Sequence, residues 1–425
     1  MIPWHGIGTR DDLPLPFWLV VAGAAAVLII TFWVLAFAWR TPRFVDKSGR
    51  VLPRLTRFVD SPWVVRPLRI VVGAVWLIAG AALIAGPDRI DNPVFGFVFV
   101  WLWVGLVPVS LLFGQVYRRT NPARVFARLT GLVGKPTSGV KCTRWPAAIA
   151  ITAFGYLELV QPESTTLPVL RGYAAVWVAW LLVGTLLGSR RWIASADPFE
   201  AYASAVAHAS CWARNAKGQL MAINPLRNLA SWQAPRHLSL LASALLGVTL
   251  FDALSATTGW VRWTQNLGVA PQLPGAAGLI ASIAVIYLAF RLAALPLRDQ
   301  GQASGAAADR LAPGLIPLVA GYSLAHYGTL LYLEGQRTAF RMSDPLGVGW
   351  NLFGGAEAGP DTTLLAFPTA IATTQVLLIV LGHVVGAMVS HDIALRSSRR
   401  VTHQLPLLLL MVAITCLGML LMFSR

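Results

Sequence analysis

Ten stretches of this chain are apolar over roughly the 20 residues that carry a helix across a bilayer. They are 16–38, 68–86, 93–116, 146–161, 168–188, 238–254, 270–296, 312–334, 364–390 and 404–423. A soluble core does not hold so many long apolar runs in series. Of the 425 residues 56% are hydrophobic and 12% are charged, about half the charged fraction of a soluble domain. The fold class expected is all-α, a polytopic transmembrane helical bundle of about ten spans. It forms one integral membrane domain over residues 1–425.

The basic residues give that bundle a direction. Lys and Arg number 34 against 18 Asp and Glu, a formal net charge of +16. Of those 34, 27 fall in the loops after spans one, three, five, seven and nine. Loops rich in Lys and Arg stay in the cytoplasm, so both termini are expected to be extracytoplasmic. The first span has no basic stretch before it and no small-residue cleavage site after it, so it is expected to remain as an anchor. The preference for Arg over Lys fits a GC-rich bacterium, and the expected location is a bacterial cytoplasmic (inner) membrane. No nucleic-acid-binding motif accompanies the charge. The expected partners are membrane lipids, with anionic head groups at the basic loops. Cys142, Cys211 and Cys416 are too scattered for a disulfide framework or a zinc motif.

Three cytoplasmic segments have the spacing of interfacial helices. They are 50–60, 121–133 with Asn121 and Pro122 as N-cap and first helical residue, and 197–212 with Asp197 and Glu200 at its start.

Ionisable groups inside spans are costly, so those present are functional candidates. Glu158, Asp252 and Glu334 lie in or at the edge of spans toward the outer side, and His326 is in span eight. In that span Gly314, Gly321, Gly328 and Gly335 recur every seven residues and form a narrow stripe at about 100° per residue. Such a stripe admits a close neighbour, and His326, Tyr322 and Ser323 point away from it. Span nine carries Gln375, Gly382, His383, Gly386 and Ser390 on one side.

An outward-opening polar site follows as an expectation. His326 and Glu334 would be catalytic. His326, Glu158 and Asp252 would hold a divalent metal such as Zn²⁺ that activates water. Tyr322, Thr329, Gln375 and Trp350 would contact substrate, with Tyr156 behind them. No HExxH spacing supports the metal, and His326 and Glu334 are about 12 Å apart along the helix axis. The bland alternative pairs the acids with Arg171 and Arg337. A second, inner group of His383, His391 and Asp392 reads either as a proton relay or as a solvated helix end. His326 and His383 lie at different depths, which argues against one shared haem. Loop 335–363 reads as a lid or as a plain cap over the outer face.

The stretches NPVFGFVFVWLWVGLVPVSLLFG (92–114), RWIASADPFEAYASAVA (191–207), AHYGTLLYLEGQR (325–337) and GHVVGAMVSHDIAL (382–395), with the MIPWHGIG start, extend over nearly the whole chain. Together they resemble a family of polytopic membrane proteins widespread in high-GC Gram-positive bacteria. Some members are labelled fenitrothion hydrolase, an organophosphate-hydrolysing activity. The resemblance implies a water-activating site and brings no catalytic motif with it. Three functions remain in view: a membrane-embedded hydrolase, a small-solute or ion transporter, and a non-catalytic subunit of a membrane complex. No internal repeat supports a two-halved transporter. Pro108 and Pro317 are the near-mid-span prolines.

Overall fold

The structure, a computed structural model, describes residues 12–129, 143–187, 192–299, 305–355, 358–398 and 400–423. Each of the ten expected spans is a helix. They are α1 (Phe17–Ala38), α2 (Pro62–Ala85), α3 (Pro93–Phe113), α4 (Trp145–Leu159), α5 (Leu167–Leu187), α6 (Leu238–Ser255), α7 (Gln272–Ala294), α8 (Ile316–Arg341), α9 (Pro368–Ala394) and α10 (Leu405–Met422). Eight of them are long and apolar enough to cross a membrane, and the chain is a multi-pass membrane protein. The other two are α4, which is short, and α8, which is long but too polar. Those two carry Glu158 and His326, so the polar residues are on helices that the bundle itself has to shelter.

Contacts between loops respect the expected alternation. On the basic face, Asp60 binds Arg119 and Arg214, Arg227 reaches Ser48, and Asp309 accepts from the backbone of His237 and Ser239. On the opposite face, Asp88 accepts from Leu167 N, and Arg171 donates to the carbonyls of Leu83 and Ile84. Arg171 is therefore engaged by backbone and not by the acids of the expected site.

The glycines of α8 and α9 set the closest helix pair. A Cβ on Gly321 would lie 2.5 Å from the Leu378 carbonyl oxygen, and one on Gly386 would lie 2.5 Å from that of Gly314. This is small-residue packing of the kind expected from the stripe. It holds for Gly314 and Gly321, whereas a Cβ on Gly328 would meet nothing within 4 Å.

Several details depart from expectation. The bundle is not purely helical: β1 (Arg50–Val51), β2 (Trp212–Arg214) and β3 (Leu220–Ala222) form a small antiparallel sheet in the order β1-β3-β2 on the basic face. It stitches two basic loops together across the backbone. Segments 53–59 and 122–129 are helices as expected, and 130–133, like Cys142, lies outside the described residues. The 197–212 segment does not lie on the interface. Its helix Pro198–Val206 is buried among the spans, with Asp197 and Glu200 inside. Asn121 explains how those acids are tolerated. Its amide donates to Asp197 Oδ2 at 2.7 Å and to Glu200 Oε2 at 2.9 Å, while Arg124 grips Glu200 with two nitrogens.

One irregularity had no visible signal in the sequence. Within α3, Phe97–Gly105 is π-helical. Stretches of this kind are rare and recur at functional sites. Here the segment carries Trp101, which donates to the Gly335 carbonyl, and Trp103, which packs on Tyr202 and Phe154.

Candidate functional site: an enclosed Asp–His–Tyr group

The polar centre of the bundle forms where α6 meets α8. Asp252 Oδ2 sits 2.8 Å from His326 Nε2 and accepts from the Tyr327 hydroxyl at 2.7 Å. Consecutive residues of one helix thus converge on one carboxylate oxygen of another. Asp252 is 1% exposed, and His326 and Tyr327 are each 2% exposed. Tyr322, one turn before His326, stacks on its ring at 5.5 Å, and Tyr327 meets the ring edge-on at 4.5 Å.

A wall of rings flanks the group. Phe154, Phe199, Trp103 and Tyr202 pack against one another beside the group. Tyr202 then hydrogen-bonds Ser323 of α8 at 3.1 Å. In such a low-dielectric setting each hydrogen bond to the carboxylate is strengthened, and losing a partner is correspondingly costly. Glu158, on α4, is close enough for its charge to act on Asp252 and on Tyr327.

The expected site is therefore only partly assembled. Asp252, His326 and Tyr322 come together, with Glu158 beside them, and Thr329 is buried on the same helix. Glu334 is excluded: its carboxylate is held by Arg337, one turn along, at 2.5 Å. Two turns of helix separate it from His326, which is why it finds a local partner instead. Tyr156 is exposed and lines a shallow apolar recess with Leu240 and Ile280, so it does not back the site. Trp350 is also exposed, in a loop folded on itself, where Asp344 accepts from Val348 N and Gly349 N, and Ser343 Oγ accepts from Phe353 N. That loop packs on the turn before α3 through Gly347 and Pro87. It lies on the opposite face, and α8 runs on to Arg341 before it begins. Gln375 is buried on α9.

The metal expectation is not matched by the donor geometry. Nε2 of His326 is hydrogen-bonded to Asp252 rather than converging with it on a shared point. Among the described residues, no group of three or more His, Cys, Asp or Glu is placed to hold an ion. The site is also not open to the outer side; the three central side chains are enclosed.

The inner group proves to be a staple. Asp392 accepts from Arg43 N at 2.6 Å, from Phe44 N and Trp39 Nε1 at 3.3 Å, and from Arg396 at 3.0 Å. His391 lies between the Trp39 carbonyl at 2.9 Å and the Gln404 amide at 2.7 Å. Both residues are buried, so neither forms a solvated helix end; they pin the chain after α1 to the end of α9. His383 is buried on α9, with Nδ1 2.8 Å from the Ile379 carbonyl oxygen.

Tyr327 was missed in the sequence because it lies about 100° round the helix from His326. Only the position of Asp252 on α6 makes the two residues neighbours in function. Comparison with known protein families, with curated proteins and with solved structures finds no match for this chain. Its role is read from its own geometry.

Proposed function

We propose that this chain is a proton-coupled transporter of a small solute or ion, with Asp252, His326 and Tyr327 as its proton-binding relay. The observation that carries the reading is the single Asp252 oxygen shared by an imidazole and a phenol at the centre of the bundle. Buried chains of this kind mark proton relays in membrane proteins. Asp252 accepts the proton, His326 passes it along the α6–α8 interface, and Tyr327 holds the carboxylate in place in either state. Glu158 is the second carboxylate on the path toward the opposite face. The irregular turn of α3 beside Tyr202 supplies a helix that can change register without unfolding. The Lys/Arg bias supports a cytoplasmic basic face in a bacterial plasma membrane.

The test is proton movement in liposomes containing the purified protein, followed by a dye in the lumen after a pH jump and during a screen of added solutes. Wild type moves protons under at least one condition; Asp252→Asn and His326→Gln insert normally and move none. Proton movement at the wild-type rate in both variants overturns the proposal.

A hydrolytic reading rests on the same pair, since a carboxylate that orients an imidazole makes it a base. The enclosure of the site weighs against it, because an ester has no route to the ring. Release of nitrophenol from an organophosphate ester by wild type, lost in His326→Gln, would favour this reading over transport.

A further inference from the structure

A second region of the bundle follows a different logic. Between α2 and α3 lies an open groove of about 1380 Å³, above the ~300–1,000 Å³ usual for small-molecule pockets. It takes no part in the Asp252 group.

Its two ends differ in chemistry. Toward the membrane interior it is lined by Val64, Leu68, Val72, Val75 and Trp76 of α2, facing Leu102, Leu106 and Val109 of α3. Trp76 and Phe97 close that end, edge to face at 4.8 Å. At the basic face seven lining side chains are Lys or Arg and none is acidic. Asp60 satisfies Arg119 and Arg214, and Glu200 satisfies Arg124. Arg118 stands 3.9 Å from Glu200 and is largely exposed. Among the described residues Lys47, Arg69 and Arg128 have no ion-pair partner. Lys47 is exposed at the rim of the groove, and partial desolvation there pushes its ammonium below its ordinary value, which an anion beside it would relieve.

The length matches one leaflet. Val64 to Trp76 spans roughly 18 Å at 1.5 Å per residue, against ~15 Å for half of a 30 Å hydrocarbon core. Basic pockets between spans on the cytoplasmic side recognise anionic lipid heads. We propose that this groove holds one anionic phospholipid, its acyl chain between α2 and α3 and its phosphate among Lys47, Arg69, Arg118 and Arg128.

The test uses the purified full chain in neutral detergent, titrated with phosphatidylglycerol carrying brominated acyl chains. Trp76, Trp101 and Trp212 line the groove, so a seated chain quenches their emission. Saturable quenching is expected at a concentration about tenfold lower than for brominated phosphatidylcholine. Arg118→Gln with Arg128→Gln should raise the half-saturating concentration by roughly ten- to thirty-fold, at ~1 kcal/mol per charge. Val72→Trp should abolish saturable quenching by plugging the apolar half. Inorganic phosphate at the lipid's concentration should not displace it. Equal quenching by the two lipids, or displacement by inorganic phosphate alone, would overturn the proposal. So would a co-purifying protein that the lipid cannot displace. If a variant fails to fold, the comparison of the two lipids on wild type decides.

Discussion

The Asp252 group and the groove beside α2 both place charged chemistry within an apolar bundle, and they do so in opposite ways. Around Asp252 there are few ionisable groups: Asp252, His326 and Tyr327 face one another, and the helices that carry them are drawn inward. Most of α6 is buried, whereas α2 is almost wholly exposed along its apolar length. At the groove there are many cations, several without a carboxylate, and the helix stands away from its neighbour. A buried charge with its partners built in fixes the packing of the helices around it. A cationic rim with more charges than carboxylates leaves Lys47, Arg69 and Arg128 to find their complement elsewhere, in the lipid or in a ligand. On the proposed readings, the same residue classes serve as machinery in one place and as a binding surface in the other.

The largest effect should come from removing the central carboxylate. Asp252→Ala leaves two buried polar groups facing a void and should cost about 3–5 kcal/mol, measured as thermal unfolding in detergent. Asp252→Asn keeps the acceptor and should stay folded. An alanine variant as stable as wild type would break the distinction between an integral core and an optional rim. Next is the helix pair that carries the site. Gly321→Leu should cost ~1–3 kcal/mol by overpacking, because its Cβ would press on the Leu378 carbonyl. Gly328→Ala has open space and should be neutral or stabilising by up to about 1 kcal/mol.

A smaller, pH-dependent effect should appear at Asp197, which lies outside the spans. Burial and then the Glu200 charge push its carboxyl from 3.8 up to about 7, against the opposing pull of Asn121 and the backbone N–H groups of Phe199 and Glu200. The folded state therefore holds a proton that the unfolded chain releases. That contribution to stability is complete below about 4 and is lost as pH rises to about 7. Unfolding temperatures at pH values across this window should fall with rising pH in wild type. Asp197→Asn, which still caps its helix, should flatten that part of the profile; an unchanged slope would assign the dependence to other groups. The smallest effect is expected at Glu334. Glu334→Gln removes only a pair with a partly exposed arginine, worth about 1 kcal/mol or less. It should leave proton movement intact, and loss of transport there would return Glu334 to the site.

The helices were legible because a bilayer imposes one length and one polarity on every span. Alternation of the basic loops added the order of faces, which the contacts of Asp60 and Asp88 respect. Half of the glycine stripe of span eight was legible for the same reason: Gly314 and Gly321 admit α9, whereas Gly328 meets nothing within 4 Å. The site was harder to read. Asp252 and His326 stood out as charges in apolar runs, but nothing in the sequence says which helices touch. Tyr327 and Asn121 are ordinary polar residues until their partners are known, whereas the pairing of Arg337 with one of the acids was already in view and holds for Glu334. Arg337 took Glu334 out of the site, and Asn121 took Asp197 and Glu200 into the core. The π-helical segment of α3 is bounded by Gly96 and Gly105, and its interior from Phe97 to Val104 is an apolar run whose pattern does not distinguish it from a regular helix.

The proton-binding role of Asp252 can be measured without knowing what is transported. Infrared difference spectra of the protein in lipid, recorded as pH is lowered, should show a protonated-carboxyl band that is absent in Asp252→Asn and shifted along the pH axis in His326→Gln. Spectra that are identical in wild type and Asp252→Asn across the whole titration would contradict it.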